Sequence, residues 1–159
     1  MENFIIVRRF PYEEPHHTQL EFIVSNGSFS GRTDIYCNVK DLEEIGHALQ
    51  NYSGKMGDEY RYEYGSENPK DRYYRHFIIR VYPINEIGSC AIQFTINKNT
   101  EEPKEGVCRF SIQTHIGPIN QLGILFEKFH QLRHLEFKWT PDEAELFKEY
   151  QGKYVEAPF

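Results

Sequence analysis

The sequence lacks the short motifs that mark most metalloproteins, hydrolases and nucleotide-binding enzymes. It has no C-x-x-C pair, no H-E-x-x-H, no G-x-S-x-G and no glycine-rich loop with a lysine at P-loop spacing. Its three cysteines, Cys37, Cys90 and Cys108, argue against a disulfide framework or a zinc ribbon. No apolar stretch approaches the roughly 20 residues that span a bilayer. We therefore expect a cytoplasmic protein with no cofactor, no metal and no membrane partner.

The sequence also has fewer basic than acidic residues, with 18 Lys and Arg against 24 Asp and Glu. The 159 residues carry a formal net charge of −6, and aromatic residues make up 15% of the chain. This length fits one domain over 1–159. Six excess negative charges repel a phosphate backbone at long range, which predicts no nucleic-acid partner and favours a basic protein partner. The alternative is that the net negative charge has no role in binding a partner.

Two segments, 19–54 and 90–131, share a strand–strand–helix pattern. In 41–52 and again 77 positions later, apolar residues recur at the spacing of one helix face, and a glycine sits at the same place, Gly46 and Gly123. Glycine inside a helix costs about 1 kcal/mol relative to alanine, so we expect each to allow a close helix approach. Alternating strands precede both helices, and they place Cys90 and Cys108 inside.

These patterns predict an α+β fold with mainly antiparallel sheet, about six to eight strands, and two pseudo-repeated units. Two further strands are expected over 58–65 and 73–82, and 4–9 reads as an edge strand. Thr140-Pro141-Asp142-Glu143 resembles a capped helix start, which predicts a short C-terminal helix over about 141–150.

One stretch of the chain, 60–82, alternates tyrosine with arginine, and core packing alone does not plainly account for it. Tyrosine and arginine are enriched at protein–protein hot spots, so this stretch is the candidate partner-binding surface. The same alternation is expected if a tyrosine row simply packs over the core edge. The candidate residues are Tyr60, Arg61, Tyr62, Tyr64, Tyr73, Tyr74 and Arg75.

Candidates for catalysis or metal binding are weaker. Glu127, His130 and His134 fall on one side of a helix, but away from its apolar face, which favours a solvated surface over a metal site. The cysteines have apolar rather than electropositive settings. We name no catalytic residue.

Parts of the chain resemble small bacterial immunity proteins of contact-dependent and polymorphic toxin systems. The matching features are Phe29-Ser30-Gly31, the strand that leads to Asp41-Leu42, and the alternating strand after Gly88. The resemblance implies a bacterial protein that neutralises a toxin and carries no catalytic residue.

Three functions are therefore compared. The favoured one is a non-enzymatic protein-binding module such as a toxin-neutralising immunity protein. The second is a ligand-binding or regulatory domain with a site between the two repeats. The third is an enzyme of an unrecognised type. Oligomeric state is not predicted.

Overall fold

The computed structural model describes residues 2–68, 70–71 and 75–158, and within them the chain forms nine strands and two helices. The element order is β1(Asn3–Phe10), β2(His17–Asn26), β3(Ser30–Asn38), α1(Val39–Gln50), β4(Tyr60–Gly65), β5(His76–Pro83), β6(Ser89–Asn97), β7(Val107–His115), α2(Ile116–Phe129), β8(His134–Trp139) and β9(Ala144–Glu149).

The strands form two antiparallel sheets. One has five strands in the order β3-β2-β1-β8-β9, and the other has four in the order β4-β5-β6-β7. The α+β class and the two units, β2-β3-α1 and β6-β7-α2, are confirmed. The prediction of an edge strand at 4–9 is wrong, because β1 pairs with β2 on one side and with β8 on the other. The sequence of β1 could not reveal its second neighbour.

The core lies between the inner faces of the two sheets and is completed by the helices. Along each strand, apolar side chains alternate with outward ones, so one row per strand enters the core. Phe22 of the five-stranded sheet meets Phe77 of the four-stranded sheet, with ring centroids 4.7 Å apart. Phe126 of α2 packs edge-on against Phe137 of β8 at 5.1 Å. One apolar cluster therefore joins both sheets and both helices.

The two helices touch through their glycines. A Cβ added to Gly46 would lie 2.8 Å from the backbone nitrogen of Glu127, and one added to Gly123 would lie 2.6 Å from that of Gln50. Asn120 Nδ2 donates to the carbonyl oxygen of Leu49 at 2.8 Å across the same contact. The packing reason predicted for the paired glycines is confirmed.

The predicted C-terminal helix over 141–150 is wrong, because 144–149 is the strand β9. Thr140 Oγ1 accepts hydrogen bonds from the backbone N–H groups of Asp142 and Glu143, and this turn leads β8 back into β9. A threonine hydroxyl makes the same local bonds in such a turn as in a helix cap. Whether the following segment forms a helix or a strand depends on its pairing with β8, which is not part of the motif at 140–143.

Candidate functional site

The outward side of the four-stranded sheet carries an excess of arginine. The strands β4 to β7 contain three arginines and one glutamate among their Asp, Glu, Lys and Arg residues, in a chain whose net charge is −6. The strand register sets Arg61 beside Arg80, and Arg109 lies beside Thr95 two strands away. We call this outward surface the arginine face. The remaining acidic residues lie on loops, on the two helices and on the five-stranded sheet.

The three arginines differ in their partners. Arg80 forms an ion pair with Glu59, and its guanidinium lies 4.2 Å from the centroid of the Tyr82 ring. Arg61 lies 3.5 Å from a carboxylate oxygen of Glu63. Arg109 Nε donates to the hydroxyl of Thr95 at 3.1 Å.

Arg109 has no acidic partner within the part of the chain that the structure describes, and its side chain is exposed. Its positive charge is therefore available to an outside anion. The ion pairs of Arg80 and Arg61 are solvent-accessible, and exposed pairs of this kind contribute roughly 0–1 kcal/mol, so a phosphate can compete for both guanidinium groups.

Between the arginines the face carries neutral polar side chains together with the buried Ile78 and Ala91. Gln93, Ser111 and Gln113 point outward from β6 and β7, and the hydroxyls of Tyr82 and Ser111 lie 3.4 Å apart. Arginine forks hold phosphates, amides can bond to base edges, and an aromatic ring can stack on a base. The arrangement can therefore bind a chain of phosphates and bases, and at its edge His76 Nε2 lies 2.6 Å from Glu63 Oε2.

The outward side of the five-stranded sheet is different, because its charges are paired with each other. Arg8 contacts Glu136 at 2.8 Å and Glu21 at 3.4 Å, and Glu21 also contacts Arg32. Burial raises the pKa of Glu136, but hydrogen bonds from Arg8 and Lys148 outweigh it and leave that pKa below its usual value. The five strands carry equal numbers of acidic and basic residues. This face offers an anion no excess positive charge.

The predicted tyrosine row points into the protein. Tyr60, Tyr62 and Tyr64 line the inner face of β4 and pack against the core. The Tyr62 hydroxyl donates to Asp41 Oδ2 at 3.2 Å, and burial raises the pKa of Tyr60 to about 12. These positions correspond to the packing alternative stated above.

The other predicted partner-binding residues are separated from that row. Arg61 lies on the arginine face, because alternate residues of a strand point to opposite sides. Arg75 precedes β5 and lies 3.4 Å from Asp34. Tyr73 and Tyr74 lie outside the described residues. The described members therefore do not share one surface.

Two of the metal-site candidates, Glu127 and His130, are neighbours at the end of α2, where the His130 ring contacts the Glu127 backbone carbonyl, but their side chains pair with different groups. Glu127 contacts Gln50 and His47, and His130 pairs with Glu43 at 3.0 Å. Within the described ranges, no group of three or more His, Cys, Asp or Glu side chains could hold a metal ion. Cys90 is fully buried, as predicted, and burial raises the pKa of its thiol.

The junction between α1 and α2, where a ligand could have lain between the repeats, is closed by the contact of Gly46 with Gly123. Among the described helices, none is both long enough and apolar enough to cross a membrane.

The sequence pattern did not place Arg109 on one surface with Arg80 and Tyr82. Arg80 and Tyr82 lie on the same row of β5 and Arg109 lies on β7, so only the pairing of β5 with β6 and of β6 with β7 brings the three onto one face. The available signal was the outward position of each in its alternating strand. That signal needs the order of the strands before it can be used.

Comparison with known proteins gives only distant structural likenesses. No family model matches the chain, and no curated protein does. Among solved structures, the plant transcriptional regulator PBF-2 is 9% identical with a TM-score of 0.48, and covers 82% of this chain and 76% of its own. WHY1 from Arabidopsis thaliana is 9% identical with a TM-score of 0.47, covering 82% and 84%. WHY3 from the same plant is 10% identical with a TM-score of 0.44, covering 82% of each chain.

Two expectations from the sequence are wrong. They are the toxin-neutralising immunity function and the exclusion of a nucleic-acid partner; the three solved structures named above include a plant transcriptional regulator, and none of the three is described as a toxin-neutralising protein. The physical reason is visible in the fold. A net charge of −6 would exclude a nucleic acid only if the excess negative charge were spread evenly over the surface. The arginine face instead carries local positive charge. The tyrosine row expected to meet a toxin packs inward.

Proposed function

We propose that the arginine face binds single-stranded nucleic acid, with its arginines on the phosphates and Tyr82 stacked on a base. The observation that carries the proposal is the excess of arginine over acid on one sheet face of an acidic protein. Phosphate contacts supply most of the affinity of such surfaces, and stacking on aromatic rings adds to it. The proposed role is binding and not catalysis.

The shape of the face favours a single strand over a duplex. The major groove of B-DNA is about 12 Å wide and admits a helix or a two-stranded ribbon. Four strands about 4.8 Å apart, with their side chains, are wider than that groove. A flat sheet instead exposes its side chains to bases that are already unstacked, as in other single-strand-binding modules.

The stacking partner is already held in position. Tyr82 lies on β5, and the Arg80 guanidinium above its ring restricts both side chains. A base entering here would take the ring face now covered by the guanidinium, while Arg80 turns to the neighbouring phosphate. Exchange of one cation contact for a stacked base and a charged hydrogen bond is favourable when the phosphate is close.

The test is fluorescence anisotropy with a 3′-labelled single-stranded oligonucleotide of mixed sequence and with its duplex. The substitutions Arg61→Gln, Arg80→Gln and Arg109→Gln remove one positive charge each from the arginine face. Three phosphate contacts predict a log–log salt slope of about −2 for a single strand, and each substitution should reduce it by about 0.7.

The matched control is Arg133→Gln, which removes the same charge from an exposed turn between α2 and β8. It should leave both the affinity and the salt slope close to wild type. Equal loss in Arg133→Gln and in the three face variants would mean that net charge alone governs binding. Absence of binding to either oligonucleotide at low salt would refute the proposal.

A further inference from the structure

A small cleft opens between the two sheets beside β3. It has a volume of about 260 Å³ and is lined by Arg32, Thr33, Asp34, Arg75, Ile96 and Lys98. Three of these side chains are cationic and one is acidic. Asp34 pairs with Arg75, and Arg32 contacts Glu21. The exposed Lys98 ammonium has no acceptor within the described ranges. The cleft is therefore electropositive at its mouth.

Its wall holds a polar group without a partner. Thr33 is only 4% exposed, and its Oγ1 finds no hydrogen-bond partner among the described residues. A buried hydroxyl left unbonded usually has an explanation such as an unseen ligand or water. A threonine side chain reaches another staggered position by rotation about χ1, and such a rotation can turn this hydroxyl toward an anion in the cleft.

The cleft lies at one end of the four-stranded sheet that carries the arginine face. Lys98 directly follows Asn97, the last residue of β6, and Arg75 directly precedes His76, the first residue of β5. Asn97 and His76 are partners in the strand register. A strand on the arginine face reaches the cleft by turning over this end of the sheet, because Ile96 in the cleft wall belongs to the inward row of β6.

The size of the cleft suits a compact group with some water. One water occupies about 30 Å³ of liquid volume, so the space exceeds that of a single molecule several times over. Ile96 lines the inner wall of the cleft, and the cationic side chains of Arg32, Arg75 and Lys98 stand around it. Cations and a hydroxyl match the oxygens of a phosphate.

We propose that this cleft binds a phosphate monoester, the terminal phosphate of a strand whose nucleotides lie on the arginine face. The assignment of a strand end rests on the proposed function. Free inorganic phosphate shares the same chemistry and is the other source to be distinguished. Lys98 would contact the phosphate oxygens from the mouth, and the Thr33 hydroxyl would donate from the wall.

The experiment compares three versions of one oligonucleotide, with a 5′-phosphate, with a 3′-phosphate and with both ends as hydroxyls, each labelled internally. One phosphorylated form should bind about tenfold more tightly than the hydroxyl form, since hydrogen bonds to a charged group contribute enough for that factor. Inorganic phosphate should compete with the phosphorylated oligonucleotide for the cleft and so remove its tighter binding. It should leave binding of the hydroxyl form unchanged.

Thr33→Val and Lys98→Gln should both erase the tenfold preference. Valine keeps the shape of threonine, and Lys98 is exposed, so the second variant remains informative if the first does not fold. The matched control Lys104→Gln lies in the same loop between β6 and β7 and does not line the cleft, so it should keep the preference. A Thr33→Val protein that is more stable and retains the preference would show that the hydroxyl is only a packing defect.

The outcomes separate the two proposals. Equal binding of all three oligonucleotides would overturn the terminal-phosphate site and leave the arginine face intact. Binding of inorganic phosphate that depends on Lys98 and Thr33, without binding of any oligonucleotide, would support the cleft and refute the nucleic-acid function. Binding of neither would overturn both.

Discussion

Replacing either facing helix glycine by alanine should destabilise the protein, although alanine is the better helix former. The added methyl group on Gly46 would lie 2.8 Å from the backbone nitrogen of Glu127 and 2.9 Å from the carbonyl oxygen of Gly123. On Gly123 it would lie 2.6 Å from the backbone nitrogen of Gln50. Because these obstacles are backbone atoms, no change of rotamer relieves the clash.

The cost can be worked out from these distances. Carbon contacts are favourable at about 3.5–4.0 Å, so α1 and α2 must separate by roughly 0.6–1 Å. Overpacking of this kind costs about 1–3 kcal/mol, and the higher helix propensity of alanine offsets about 1 kcal/mol of it. Separation would also stretch the hydrogen bond from Asn120 to Leu49. Overpacking and helix propensity together leave a net loss of about 0–2 kcal/mol for each substitution, and the stretched hydrogen bond adds to it.

Urea unfolding followed by circular dichroism measures this loss as a lower midpoint with an unchanged slope. The matched control is Gly117→Ala in α2, where an added Cβ meets nothing within 4 Å. That variant should lose less stability than the two facing-glycine variants, because its Cβ meets no helix and only its chain neighbour Pro118 opposes the gain in helix propensity.

The double variant Gly46→Ala with Gly123→Ala tests whether one contact is responsible. Once the helices have moved apart for the first methyl group, the second should cost less than it does alone. If both single variants were as stable as Gly117→Ala, the close helix approach would not exist in solution and the reasoning would be refuted.

Three further outcomes follow from the site and its surroundings. Glu59→Gln should free Arg80 and increase oligonucleotide affinity with a steeper salt dependence; unchanged affinity would show that Arg80 does not meet phosphate. Tyr82→Phe should bind like wild type, and Tyr82→Ala should lose about 1–3 kcal/mol of binding free energy in the same anisotropy titration. Glu136 has a pKa below 4.5 in the folded protein, so its stabilising contribution is present above that pH and lost as the pH falls through the folded-state pKa. Glu136→Gln should therefore flatten the acid side of a plot of stability against pH, and an unaltered acid limb would contradict this.

Local pattern was sufficient for much of the fold. Alternation and helical spacing found the elements of both units, and the coincident glycines foretold the helix contact. These signals depend on which side of an element is buried, and the spacing of apolar residues within the element itself indicates that side. They do not depend on which strand pairs with which.

The errors came where distant partners decide the outcome. Thr140 makes the same hydroxyl bonds in a hairpin turn as in a helix cap, so only pairing with β8 distinguishes the two. Arg9 is fully buried because it bonds to Glu14 and to backbone carbonyls more than 120 residues away, and nothing near it in the sequence indicates this. The same limit applied to the arginine face, whose members meet only through sheet order.

The place of β8 beside β1 has a consequence for how the chain reaches its native state. Val7 pairs with Phe137, 130 residues later, so the five-stranded sheet depends on contacts of very large sequence separation. Such contacts slow folding, because the entropy of closing a long loop is lost before any stabilising energy is gained. Until β8 is synthesised, one edge of β1 stays open beside the apolar Ile5 and Val7. A nascent chain would therefore pass through an aggregation-prone intermediate, and its yield should depend on chaperones more than the final stability suggests.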